Sequence, residues 1–477
     1  MSRAFSQYSH IVNIWRKATL LSGARDAYNP FGRGGAGMDS VMTVTSLFIL
    51  AVSGYFAVRL HGMRAVRPLR RLRAALTPRR SGTGVSPLGG MCMALAGTLG
   101  VGNIAGVATA LWLGGPGAIF WMIFSGLAVT VLKYAEIVLA IRHRRRTANG
   151  TVGGAPYYIS DLLFARGHAG AGRLLACLFA WLCLLNALTM GSVLQINAAA
   201  SALHGAFGLP PLVTGLTAAG LCAVVMSGGA SRIAALTERL VPFMTVGFLL
   251  LCGAVLILRR ERLPDAAAAI LREAFSPANA GAAAGGGVGG FLLTRAVRVG
   301  VMRGLVSNEA GCGTAPMAHA AADTDSPATQ GVLGMLEVFV DTVLLCSITA
   351  LTVLVGDTGY TAFGADGAAC ARAAFTSVLG DWAGGVFGIS VFLFALASAF
   401  CWAHYGMTCV GYLRARRPGT GLCWRMLFTL AFCSALILGA LMAPSLAWTL
   451  ADAAIAAMTM LNLSCLLLGA REIATAR

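Results

Sequence analysis

Long apolar runs recur along almost the whole chain of 477 residues. A helix needs about 20 apolar residues to cross the ~30 Å hydrocarbon core of a bilayer. Hydrophobic residues make up 57% of the chain and charged residues 11%, whereas about 25% charged residues is usual in a soluble domain. The sequence therefore predicts an all-α, multi-pass integral membrane protein with about 11 transmembrane helices. The predicted spans are about 41–60, 87–111, 117–141, 173–197, 211–227, 234–258, 284–318, 331–355, 383–411, 426–443 and 447–468.

The composition also excludes several functions. The two lysines, Lys17 and Lys133, precede Ala18 and Tyr134, so neither can belong to the Gly-Lys-Ser/Thr of a P-loop that hydrolyses ATP. The net charge of +18 comes from arginines in short loops between apolar runs, which favours contact with a membrane rather than with nucleic acid. Thirteen cysteines without a CxxC pair are expected to be small buried residues, and no cofactor is predicted. Residues 1–38 form a polar segment without the apolar core of a cleavable signal peptide.

Loop arginines predict the orientation in the membrane. Three arginine-rich loops, at 59–80, 142–146 and 414–417, fall on one side if there are eleven spans. Cytoplasmic loops carry such an excess of arginine and lysine, so that side is predicted to be cytoplasmic, in the plasma membrane or bacterial inner membrane. The N-terminus is then outside and the C-terminus inside.

Two of the runs are interrupted by glycine at matching places, 97–106 and 307–316. Each interrupted run opens a set of five spans, and because five is odd the second set must be inverted relative to the first. Paired broken helices in inverted halves indicate the central site of a transporter. The predicted organisation is an extra N-terminal span with a basic loop (39–86), a first repeat (87–258), an extracellular connection (259–283), a second repeat (284–468) and a short tail (469–477).

The residues of these interruptions resemble those of a known family. The stretches 97–122 (GTLGVGNIAGVATALWLGGPGAIFWM) and 303–331 (RGLVSNEAGCGTAPMAHAAADTDSPATQG), with 339–342 (FVDT), 153–158 (GGAPYY) and 192–197 (SVLQIN), are similar to signatures of the alanine or glycine:cation symporters, the sodium:alanine symporter family. The resemblance runs from about residue 40 to 468. It implies a LeuT-like inverted repeat of five plus five helices and sodium-coupled uptake of a small neutral amino acid, alanine or glycine, with sodium as the coupling ion.

The resemblance also implies site residues. The backbone of the first break would hold the substrate carboxylate, while carbonyls of Ala96 and Leu99 and the hydroxyl of Ser398 would bind sodium. The family usually has Phe and Met where Val306 and Cys312 stand, and a second hydroxyl residue at Ala397. The expected substrate-binding residues are Thr98, Gly100, Gly102, Asn103, Gln195, Asn308, Gly311, Thr314 and Trp402.

Ionisable residues inside predicted spans are candidates for function. Lys133 and Glu136 are three residues apart on one helix, and we expect them to pair with each other, with a role toward substrate as the alternative. Glu309 lies inside the second break, where it would cap backbone N–H groups, contact a cation, or pair with Arg298 or Arg303.

Two further carboxylates and two histidines lie in the second repeat. Glu337 and Asp341 share one helix face and are expected to pair with an arginine. His319 and His404 are expected to be hydrogen-bonded core residues, with a proton relay as the alternative.

Three classes of membrane protein have chains as apolar as this one: channels, intramembrane enzymes and secondary transporters. A channel is expected to show a repeated pore motif, and the two halves here differ. A membrane zinc protease needs HExxH, which none of the seven histidines provides. An intramembrane serine protease stays open in principle, although no Ser/His pair falls within facing broken helices. The paired breaks favour a secondary transporter and not an enzyme.

Overall fold

The computed structural model describes residues 35–60, 71–72, 85–147, 150–276, 295–356, 358–364, 366–415, 421–443 and 445–476. Within these ranges the regular elements are helices, apart from an isolated bridge and one hairpin, in which Arg145–Thr147 (β1) and Gly150–Val152 (β2) pair antiparallel, with Arg145 opposite Val152. The predicted all-α class is confirmed. Most of the predicted segment 1–38 and of the basic loop 61–84 lies outside the described residues.

The helices before the second repeat follow the predicted runs closely. Pro87 begins the first of the broken helices, and the Ser86 hydroxyl caps that helix by accepting from the Gly89 N–H. These helices are α1 (Gly35–Arg59), α2 (Pro87–Thr98), α3 (Ala105–Gly114), α4 (Gly117–Arg142), α5 (Ala155–Phe164), α6 (Ala169–Leu188), α7 (Leu194–Phe207), α8 (Pro211–Ser227), α9 (Gly229–Leu258) and α10 (Leu263–Ala274).

The second set is built from similar parts. A π-helical segment at Phe339–Cys346 joins two helices into one long span, as another at Thr189–Val193 joins α6 to α7. The helices are α11 (Arg295–Asn308), α12 (Ala315–Ala320), α13 (Pro327–Val338), α14 (Ser347–Val355), α15 (Gly367–Leu379), α16 (Asp381–Arg414), α17 (Gly421–Leu441), α18 (Ser445–Leu468) and α19 (Ala470–Thr475).

Seven helical stretches in the described ranges are long and apolar enough to cross a bilayer, and shorter apolar helices accompany them. Counting each broken or π-joined pair as one span and adding α1 and α8, the described helices give eleven spans, while residues 284–294 of the seventh predicted run lie outside the described residues. The connecting helices predicted at 263–275 and 366–380 are present as α10 and α15.

The two sets run in opposite directions. Val85, at the start of α2, forms an isolated parallel bridge with Ala322, just after α12, and the Asp323 N–H donates to the Val85 carbonyl at 2.8 Å. The first broken span therefore starts at the end of the molecule where the second broken span finishes. In the interior, α4 packs against α11 and α13, and α16 packs against α2, α6 and α7, so helices of both sets surround the breaks.

Several arginines gather at that same end, which we call the basic end and define by Arg142, Arg144 and Arg145. Arg144 donates to the carbonyls of Ala322 (2.7 Å) and Thr324 (2.8 Å). The described arginines of the third span's loop thus lie beside the start of α2.

His143 ties the end of α4 to two acidic residues at the basic end. Its ring nitrogens lie 3.1 Å from Asp161 Oδ2 and 2.9 Å from Glu472 Oε2, and Arg145 donates to both oxygens of Asp161. Burial opposes a charge on the ring, but the hydrogen bonds to Asp161 and Glu472 outweigh it and raise the pKa of His143. Burial also opposes a charge on Asp161, yet the bond from His143 and the charge of Arg145 lower the pKa of that carboxyl.

Candidate functional site

The first break releases backbone carbonyls from helical hydrogen bonding. In a continuous helix the N–H groups of Gly100 and Val101 would donate to the carbonyls of Ala96 and Gly97. Instead the Gly100 N–H donates to Thr98 O at 2.8 Å, and the Val101 N–H donates to Gln195 Oε1 at 3.0 Å. A 3₁₀ turn at 101–103 follows before α3 begins.

Ser398 reaches this break from the middle of α16. Its hydroxyl donates to the Gly97 carbonyl at 3.0 Å, and its side chain is fully buried. The hydroxyl of the predicted sodium ligand Ser398 therefore contacts the carbonyl of Gly97, the residue after the predicted ligand Ala96, whose own carbonyl has lost its helical donor. Leu99 is also fully buried and forms the C-cap of α2. Sodium binding by Ala96, Leu99 and Ser398 remains a prediction.

A cavity of about 310 Å³, its mouth included, opens at the first break. Four predicted substrate-binding residues, Thr98, Gly100, Gly102 and Gln195, are among its walls. Gln195 is held in place because its Oε1 accepts from Val101 and its Nε2 donates to Met190 O at 3.2 Å. No charged side chain is among the described residues around the cavity. The remaining walls are Gly97, Val101, Met190, Leu194, Val306 and Trp448.

The other predicted substrate-binding side chains point to different partners. Asn103 Nδ2 donates to Asp341 Oδ1 at 2.7 Å, and Asn308 Nδ2 donates to Thr342 Oγ1 at 3.1 Å. Trp402 is fully buried and lies against Gly191, where an added Cβ would stand 2.3 Å from the Trp402 Cβ. These three side chains are close to the breaks without being among the residues that line the cavity.

The second break is held by a carboxylate from the first repeat. Gly311 and Gly313 adopt positive φ angles of 86° and 81°, which glycine tolerates. Glu136 on α4 accepts from the Gly311 N–H at 3.2 Å and the Gly313 N–H at 3.1 Å. Asn462 on α18 donates to Glu136 Oε2 and to the Gly311 carbonyl, both at 2.9 Å, and accepts from the Tyr158 hydroxyl. The Gly311 N–H is thus occupied by a resident carboxylate.

This arrangement corrects two expectations about charged residues. Lys133 does not pair with Glu136: its Nζ lies 3.2 Å from Glu337 Oε1, across to α13. Glu309 does not cap the N–H groups of the second break, because Glu136 does so. The side-chain partner of Glu309 is instead Thr314, whose hydroxyl donates to Oε2 at 2.5 Å.

The expectation that Glu337 and Asp341 pair with an arginine is also wrong. Glu337 binds Lys133 and accepts from His319 Nε2 at 3.0 Å. His319 Nδ1 lies 2.8 Å from Gln330 Nε2, so both ring nitrogens have hydrogen-bond partners and His319 is a hydrogen-bonded core residue. The second histidine, His404, is buried with Nε2 3.4 Å from Met317 O.

Asp341 gathers hydroxyl and amide donors from both repeats. Besides Asn103, Ser307 Oγ donates to it at 2.7 Å and Thr342 Oγ1 at 2.8 Å. Asp341 lies in the π-helical segment Phe339–Cys346, and such segments are frequent at functional sites. Asp341 therefore connects the first break to the end of α11.

Sequence reasoning missed part of the cavity wall and the residues that hold the second break. Met190, Leu194 and Trp448 are apolar residues in apolar spans, so no local signal separates them from residues that face lipid. Asn462 carried a signal, because an amide in the middle of a predicted span needs a partner.

A helical membrane protein with two inverted repeats that each break at the centre, and with a cavity at the first break whose described walls carry no charge, is a secondary transporter. The chain belongs to the sodium:alanine symporter family, whose profile matches residues 36–476. It is 36% identical over 388 residues to the sodium/alanine symporter AgcS of Methanococcus maripaludis, covering 80% of this chain and 82% of that one. It is 32% identical over 433 residues to the probable sodium/glutamine symporter GlnT of Bacillus subtilis, covering 90% and 86%.

Among solved structures, the crystal structure of MhsT in complex with L-phenylalanine aligns with a TM-score of 0.48 at 16% identity, covering 82% of this chain and 90% of that one. The family and the apolar helices make this chain a multi-pass protein of the plasma membrane. It is a transporter and not an enzyme.

Proposed function

We propose that the protein carries a small neutral amino acid, alanine or glycine, into the cell together with sodium. The observation that carries the proposal is the cavity at the first break, where neutral Gln195 and the backbone of 97–102 form the walls. A zwitterion needs no charged side chain there, because its carboxylate can bind backbone N–H groups at a broken helix. Membership of the sodium:alanine symporter family supports the same substrate class.

Sodium binds, in this proposal, at carbonyl oxygens of Ala96 and Leu99 and at the Ser398 hydroxyl. Sodium is a hard cation and prefers such an all-oxygen site. The contact between Ser398 and the Gly97 carbonyl supports the assignment, because it places the hydroxyl beside the end of α2. An ion bound here would stabilise the break that forms the cavity wall, which couples ion binding to substrate binding.

Uptake into proteoliposomes tests the proposal. Labelled alanine, glycine, glutamine, glutamate and lysine are supplied with an inward gradient of sodium, lithium or protons alone. We expect alanine or glycine to accumulate on the sodium gradient, and neither glutamate nor lysine to do so. Strong transport of glutamate or lysine, or full alanine uptake on a proton gradient alone, contradicts the proposal, and a preference for glutamine would revise the substrate.

A further inference from the structure

Glu309 occupies an unusual position in the second break. It is the one non-glycine residue with a positive φ, 51°, in the part of the chain that the structure describes. It directly follows Asn308, the last residue of α11, and its side chain is fully buried. Residues with a Cβ adopt this backbone region at a cost, and such strain is concentrated at functional sites.

The carboxylate of Glu309 is also poorly compensated. Oε2 accepts from the Thr314 hydroxyl, whereas Oε1 is buried and has no hydrogen-bond partner among the described residues. The other buried carboxylates near the breaks have more hydrogen-bond donors or ionic partners. Glu136 and Asp341 each accept from three donors, and Glu337 is bound by Lys133 and His319.

The surroundings of Glu309 hold more negative than positive charge. The charged groups that act on it are Lys133 from α4, Glu337 from α13 and Asp341 from the segment after α13. Within the described ranges Lys133 is the single lysine or arginine that is fully buried, and it already lies 3.2 Å from Glu337. A carboxylate buried without a compensating charge is costly, so a bound cation would stabilise an ionised Glu309.

We propose that Glu309 binds a second monovalent cation, sodium or a proton, at its free oxygen during transport. This proposal rests on the proposed function, in which a first sodium binds beside Ser398. The two cations would lie on the two breaks, one on each repeat, and both would move with each amino acid. Two positive charges per zwitterionic amino acid would then cross the membrane.

The reversal potential of alanine flux in proteoliposomes measures the number of charges moved per alanine, independently of the rate. We expect two charges for the wild type, one for Glu309→Gln and two for Glu309→Asp. Glu238→Gln is the matched control, because Glu238 lies in a span but binds Ser86 at the basic end, at 2.9 Å, away from both breaks. It should also move two charges. Surface abundance of each variant checks folding.

The structural alternative gives a different result. If Glu309 merely accepts the Thr314 hydroxyl, the amide oxygen of Gln keeps that bond and the charge ratio does not change. Two measurements identify the second cation. If the ratio of ²²Na to ¹⁴C-alanine taken up falls by one in Glu309→Gln, the cation is sodium. If a pH-sensitive dye shows that proton flux is lost in that variant, the cation is a proton. One charge per alanine in a wild type that accumulates alanine overturns the second site and leaves symport intact. No accumulation on a sodium gradient overturns both proposals.

Discussion

The glycines of the first break give a sharp test of the cavity, because two of them differ in what a methyl group would meet. A Cβ at Gly100 would lie 2.6 Å from Gln195 Oε1 and 2.9 Å from its Nε2. Gly100→Ala must therefore push the Gln195 amide away from the Val101 N–H and the Met190 carbonyl. A Cβ at Gly102 would meet Ser307 Cα at 3.9 Å, so Gly102→Ala places its methyl in the cavity without a clash.

The size of the effect follows from the displaced amide. Leaving one buried hydrogen-bonding group without a partner costs about 1–3 kcal/mol. If that cost falls on the substrate-binding form, half-saturation for alanine rises roughly 5- to 150-fold in Gly100→Ala, since about 1.4 kcal/mol corresponds to tenfold. Gly102→Ala loses no hydrogen bond, but it narrows the cavity and favours helix by about 1 kcal/mol, so we expect a smaller rise.

Surface abundance and half-saturation for uptake are measured for both variants. Normal abundance with weakened uptake, and a larger loss in Gly100→Ala than in Gly102→Ala, is the expected result. Low abundance with near-normal half-saturation in Gly102→Ala would show that this glycine serves helix packing. Equal half-saturation in Gly100→Ala and the wild type would refute the role of Gln195 in the cavity wall.

Three further variants test other parts of the structure. Ser398→Ala should raise the sodium concentration for half-maximal uptake more than it changes the maximal rate; unchanged sodium dependence would remove Ser398 from the ion site. Glu136→Gln turns an amide donor toward a backbone N–H of the second break, so the purified protein should lose roughly 1–3 kcal/mol of stability. Its melting temperature should therefore be lower than that of the Glu238→Gln variant. Equal melting temperatures would count against Glu136 as the acceptor for these N–H groups. The pKa of His143 is raised in the folded protein, so the protonated ring stabilises the fold. This contribution is complete below the ordinary pKa of 6.5 and is lost as the pH rises through the raised pKa. The wild type should therefore melt at a higher temperature than His143→Gln by an amount that is largest at mildly acidic pH and vanishes at alkaline pH. A difference that does not depend on pH would refute an ion pair between protonated His143 and the carboxylates of Asp161 and Glu472.

The spans could be predicted because each depends on local composition. The run expected at 211–227 is the helix Pro211–Ser227, and the two breaks appear where glycine clusters interrupt apolar runs. The partners of buried charges could not be predicted in the same way. Lys133 and Glu136 are suitably spaced to pair on one helix, yet Lys133 binds Glu337, 204 residues further along the chain. The packing of α4 against α13 decides that choice, and spacing within one helix carries no information about it.

The candidate site was predictable in part for a similar reason. A short motif, SVLQIN, indicates Gln195, and its Oε1 accepts from the Val101 N–H at the first break. Substrate contact by Asn103 and Asn308 stays a prediction; in the structure their amides bind Asp341 and Thr342 from the neighbouring span. A polar side chain beside a break has several buried partners within reach, and only the three-dimensional packing selects one.

The central claim is that sodium and a small neutral amino acid bind together at the first break. Equilibrium binding of labelled alanine to the purified protein, with sodium or with choline as the cation, tests it most directly. We expect sodium to lower the Kd for alanine by roughly 5- to 150-fold, and alanine to lower the Kd for sodium by the same factor, because coupling between two sites is reciprocal. An alanine Kd that is the same in sodium and in choline would contradict the account.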